Sequence, residues 1–131
     1  MTPVEMCLFL VVGYVVTVSV ELPVLYFGLA SRHSPSERLM FAFILTAFTY
    51  PIVILVMPVL LHPLGRLAYV GIAELFAPLA EVALFRFFDR QKIVSRLDRD
   101  AGVIVFANVL SFLLGEAFLT EWIVGIIQVV K

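Results

Sequence analysis

The feature that most constrains this chain is its division into four apolar runs, residues 6–29, 39–61, 67–88 and 101–130, joined by short polar connections. A helix needs about 20 mostly apolar residues to cross the hydrocarbon of a bilayer. No water is available there to pair with backbone amides, so a run of this kind crosses as a helix that satisfies its own backbone. The sequence therefore predicts an all-α, polytopic membrane protein: one domain over residues 1–131, with four transmembrane helices in a bundle kinked at Pro23, Pro51, Pro58 and Pro78. Composition supports this. With 63% hydrophobic and 15% charged residues and a mean hydropathy of +1.10, the chain lies outside the range of ordinary soluble domains.

Charge narrows the partners. A net charge of -1 offers no basic field for nucleic acid, so the expected partners are the lipid bilayer itself and either further copies of the chain or a larger membrane complex. Cys7 is the only cysteine, which excludes an intrachain disulfide and a cysteine-based metal site; it is expected to be a small buried apolar residue. The first run is too long for a signal-peptide core and contains Glu21, so it is expected to remain as a helix despite the small residues near Gly28 and Ala30.

Lys and Arg gather in the first connection (Arg32, Arg38) and around the third (Arg86, Arg90, Lys92, Arg96, Arg99), whereas the other side has Arg66 and Lys131. Basic residues mark the cytoplasmic side. Connections one and three are accordingly expected in the cytoplasm, with both termini outside, in a plasma or inner membrane. The third connection is partly amphipathic through Ile93, Val94 and Leu97, and is expected to lie along the headgroups or to face a partner. Glu121 and Trp122 are expected at the interface.

Against this background the carboxylates inside the runs stand out, because a charge at bilayer depth is costly unless paired, hydrated or neutralised. Glu74 and Glu81 are seven residues apart in residues 73–81, on nearly one helix face and roughly 10 Å apart along the axis. Pro78 bends the helix between them, and Ala73, Ala77 and Ala80 allow close approach of a neighbour. Glu21 shares a face with Gly13 and Thr17, and Pro23 frees the Ser19 carbonyl, to which a protonated Glu21 could donate. Counting from the run centres places Glu21 and Glu81 in an inner layer near Asn108 and Ser111, and Glu74 and Glu116 in an outer one. No Lys or Arg is expected at either depth. Thr46, Thr49 and Tyr50 lie within one turn before Pro51, and Tyr50 is expected to donate to a buried acid.

Stacked carboxylates suit the passage of a proton or cation, which must be attracted enough to enter and shared so that it can leave. The ion- or proton-binding candidates are Glu21, Glu74, Glu81 and Glu116, supported by Tyr50, Pro51, Pro78, Asn108 and Ser111. Four helices enclose little volume, so this reading expects an oligomer. The alternative is a non-catalytic subunit of a membrane complex. An enzyme is disfavoured: there is no nucleophile–base pair, no Glu-x-x-His pattern and no phosphate-binding glycine loop. The sequence leaves open which metal or cofactor, if any, the acids hold. In size and layout the chain is similar to small multidrug transporters, but the acids of runs three and four and the two prolines of run two depart from that pattern, and no functional residue is carried over.

Overall fold

The computed structural model describes residues 3–89 and 97–130. Among them the chain is helical, with no strand: α1 (Pro3–Gly28), α2 (Pro35–Pro51), a π turn (Ile52–Val56), α3 (Met57–Leu61), a 3-10 turn (His62–Leu64), α4 (Gly65–Phe88) and α5 (Leu97–Val130). Three stretches are long and apolar enough to cross a membrane: Met6–Gly28, Pro35–Phe88 and Arg99–Phe118. The expectations for Arg90, Lys92, Ile93, Val94 and Arg96 fall outside the described residues, as do those for the side chains of Leu97 and Trp122.

The 54-residue middle stretch is not straight. Thr49 and Glu81, 32 residues apart, would be about 48 Å apart in a continuous helix, yet their side chains are hydrogen-bonded at 2.7 Å. The reversal occurs at the 3-10 turn and at Gly65, whose φ of 80° and ψ of 168° favour a residue without Cβ. The expected second and third runs are thus antiparallel neighbours joined by helical turns rather than by an open connection.

Local chemistry explains the boundaries. α2 starts at Pro35, four residues before the expected 39, because Ser34-Pro35-Ser36-Glu37 forms a capping box: the Ser34 hydroxyl accepts from the Glu37 amide and the Glu37 carboxylate accepts from the Ser34 amide. The break expected near Pro51 is a π turn. In its i→i−5 register the Val53 carbonyl faces position 58, which is proline and has no N–H. The Tyr69 hydroxyl supplies the missing donor at 3.0 Å. Pro23 and Pro78 lie inside α1 and α4, which remain helical on both sides of them.

Side chains are distributed inside out relative to a soluble protein. Glu21, Glu81, Thr46, Thr49, Asn108 and Ser111 are buried, while Leu67 (91%), Phe27 (78%) and Phe87 (78%) are exposed. Apolar outer surfaces around a polar interior are what lipid as a solvent selects. Cys7, expected to be buried, is exposed, because it lies on the outward side of α1.

The interior is layered. At one end Arg32 binds Asp89 (2.6 Å) and Asp100 (3.0 Å), and the Ala30 amide and His33 also bind Asp100. Hydrogen bonding to Asp89 is the largest influence holding Arg32 above the usual guanidinium value. Arg38 donates to the carbonyls of Tyr26, Ala30 and His33. Next comes an apolar layer: Leu25, Leu29, Phe41, Ala42, Leu45, Phe85, Ile104 and Ala107. The carboxylate layer lies above it.

Candidate functional site

Four helices bring the inner carboxylates together by equal counting from the ionic end. Glu21 lies nine residues before Ala30, Glu81 eight before Asp89 and Asn108 eight after Asp100, so each stands about 12–14 Å along its helix from that end. Each carboxylate is then bridged between α2 and α5. Glu21 accepts from Thr46 (2.6 Å) and Ser111 (2.7 Å), and Glu81 accepts from Thr49 (2.7 Å) and Asn108 (2.7 Å). Both glutamates are almost wholly sealed, at 1% and 2% exposure. Every one of the four carboxylate oxygens has one neutral donor.

The bonding differs from the expected pattern in two respects. Glu21 does not turn to the Ser19 carbonyl freed by Pro23, because Thr46 and Ser111 reach both of its oxygens from across the bundle. Tyr50 does not supply the donor to an acid either. Thr46 and Thr49 occupy the positions facing Glu21 and Glu81, and the Tyr50 hydroxyl lies against Gly13. Pro51 terminates α2 above this layer, and Pro78 is buried in α4 between Glu74 and Glu81.

A cavity of about 160 Å³ extends from the inner pair, and all four predicted acids line it. Its walls mix the carboxylates with Tyr50, Tyr69 and Phe112 and with small residues including Gly13, Ala73 and Ala77. Glu74 is half-buried and Glu116 exposed, so the lining grades from an exposed rim to the sealed pair. At the rim Arg66 stands 3.8 Å from Glu116. This corrects the expectation that no basic residue reaches either layer: the long arginine side chain extends along the helix from the α4 terminus. At the inner pair, the groups bound to the carboxylates are neutral. Arg86, near the opposite end of α4, is exposed.

The closed end is as definite as the open one. Below Glu21 and Glu81 the apolar layer and the Arg32–Asp89–Asp100 cluster stand between the cavity and the 29–34 turn. His33 is buried there between the rings of Phe41 and Phe85, at 5.7 and 5.4 Å. His33 lies in the connection between α1 and α2, and the cluster it belongs to is not among the sequence expectations. The signal available was one of sign alone: cations in one connection and Asp89 and Asp100 flanking another.

The arrangement is an acidic cavity lining whose innermost two carboxylates are bonded to neutral donors. Among the described residues no group of three or more His, Cys, Asp or Glu side chains has the geometry to hold a metal ion. The chain matches no protein-family model, and no curated protein or solved structure matches it.

Proposed function

We propose that the protein is a four-span integral membrane carrier that moves protons or small cations, with Glu21 and Glu81 as the inner binding layer and Glu74 and Glu116 as the outer. One observation carries this reading: a single cavity is lined by all four acids and ends on two sealed carboxylates bonded to neutral donors. The apolar layer and ionic cluster beyond that end favour a carrier with one side closed over an open pore. By the distribution of Lys and Arg, the closed side is cytoplasmic and both termini are outside.

All the residues that line the cavity belong to one chain, which supports a site that each copy of an oligomer would carry by itself. The internal satisfaction of Glu21 and Glu81 also weighs against a subunit whose partner must supply their counter-charges. Reconstitution into liposomes containing a pH-sensitive dye and a dye for the imposed cation tests the proposal. Under an imposed ion or voltage gradient, native protein should change the internal pH or the internal cation concentration and Glu81→Gln should not, while both elute identically in mild detergent and retain the same helicity. Equal signals from native and variant protein would refute it. A stoichiometric partner retained through purification, together with no flux from the chain alone, would favour the subunit reading.

A further inference from the structure

Three hydroxyls in the inner layer share one arrangement. Thr46 Oγ1 stands 2.6 Å from Glu21 Oε2 and 3.0 Å from the Ala42 carbonyl. Thr49 Oγ1 stands 2.7 Å from Glu81 Oε1 and 3.1 Å from the Leu45 carbonyl. Ser111 Oγ stands 2.7 Å from Glu21 Oε1 and 3.0 Å from the Asn108 carbonyl. A hydroxyl has one hydrogen and two lone pairs, so each can satisfy one of these acceptors at a time.

That makes each hydroxyl a two-position switch. Facing an ionised carboxylate, it donates to the carboxylate oxygen. Facing a protonated carboxyl, it accepts the carboxyl hydrogen and turns its own toward the backbone carbonyl. Asn108 behaves differently: its Nδ2 stands 2.7 Å from Glu81 Oε2 and 3.0 Å from the Ile104 carbonyl, and an amide nitrogen donates both of its hydrogens and accepts none. Flipping the amide would set its oxygen against the Ile104 carbonyl. Glu81 Oε2 therefore always faces a donor.

We infer that the inner layer is a proton-exchange site rather than a metal-cation site, and that Glu81 carries its proton on Oε1, toward Thr49. The inference rests on the transport reading above and specifies the species its inner layer handles. Protonation forms one O–H bond at Glu81 Oε1 and breaks one O–H bond of a hydronium ion that reaches the cavity, which is left as water. Thr49 keeps its hydrogen and redirects it to the Leu45 carbonyl, and release reverses both steps. A metal cation needs converging oxygen lone pairs, whereas Asn108 presents N–H groups to Glu81. Thr46, Thr49 and Ser111 are positioning residues that accommodate both protonation states of the carboxyls without moving a helix.

Infrared titration of the purified protein in lipid tests this directly. The expected result is a protonated-carboxyl C=O band, absent in Glu81→Gln, whose pH midpoint is unchanged by added sodium, potassium or calcium. Asn108→Leu should raise the wavenumber of that band, because the carbonyl oxygen Oε2 loses its donor. Thr49→Val should shift the midpoint while Thr49→Ser leaves it near native. A midpoint that moves with cation concentration, an unmoved band in folded Asn108→Leu, or no protonated band at any attainable pH would overturn the inference. The cation titration uses native protein and stands even where a variant fails to fold. Cation-independent titration without flux would refute the transport reading alone, and flux with a cation-competed band would refute this inference alone.

Discussion

Gly13 of α1 and the hydroxyl of Tyr50 on α2 meet with no room for a Cβ between them. The glycine is what lets the tyrosine ring lie over the wall of the cavity while α1 stays close to α2. Tyr14, one residue along, packs edge-on to the same ring at 6.2 Å and donates to the Phe43 carbonyl at 3.0 Å. The two helices are therefore held together from both sides of the contact.

Gly13→Ala should displace the Tyr50 ring and cost about 1–3 kcal/mol, the usual penalty for overpacking. Shortening the opposing side chain in Gly13→Ala/Tyr50→Leu should recover a large part of it. Equilibrium unfolding in detergent measures both. Additive losses in the double variant would show that the contact does not limit the approach of the helices.

Asp100 holds together one end of the bundle by accepting from the Ala30 amide (2.8 Å), Arg32 (3.0 Å) and His33 (3.2 Å). Its removal in Asp100→Ala should cost about 2–3 kcal/mol, below the penalty for a fully buried pair because the Arg32 side chain is 25% exposed. Asp100→Asn retains an acceptor for the Ala30 amide and should lose less. The same unfolding measurement orders the variants, and an Asp100→Asn as damaging as Asp100→Ala would place the effect in charge rather than in the amide bond.

Much of this was legible because membrane helices obey a length rule. Apolar runs and the depth of acids within them can be counted, and the expected grouping of Glu21, Glu81, Asn108 and Ser111 follows from that count. Facing partners are harder to read. Thr46 and Thr49 were visible as polar residues one turn apart, but nothing in a linear pattern says that they, rather than Tyr50, face the glutamates. The Arg32–Asp89–Asp100 cluster was illegible for a related reason, since Arg32 and its two partners, 57 and 68 residues away, come together only after the helices pack. The early start of α2 was readable in Ser34-Pro35-Ser36-Glu37; the apolar count begins after it.

Two glycines of one helix provide a contrast between backbone and packing. A Cβ at Gly65 or at Gly71 meets nothing within 4 Å, but Gly65 alone has a positive φ. Gly65→Ala should therefore cost about 1–3 kcal/mol from backbone strain, whereas Gly71→Ala, inside regular helix, should be neutral or stabilising by up to about 1 kcal/mol. Thermal unfolding of the two variants side by side checks the sign. Similar destabilisation in both would mean that the 62–65 reversal is not the source of the constraint.

The π turn offers the sharpest test of backbone accounting. Tyr69 donates to the Val53 carbonyl, whose partner in the local register would be the missing amide of Pro58. Tyr69→Phe leaves that carbonyl without its hydroxyl donor and should cost about 1–3 kcal/mol, the range for a buried polar group left unsatisfied. Pro58→Ala returns an N–H at the position the carbonyl faces, so Tyr69→Phe in that background should cost clearly less. A double-mutant cycle measures the difference as a coupling between two residues whose link is one carbonyl oxygen. Zero coupling would mean that Tyr69 stabilises the turn through its ring rather than its hydroxyl, and that the proline does not leave the carbonyl in need of a donor.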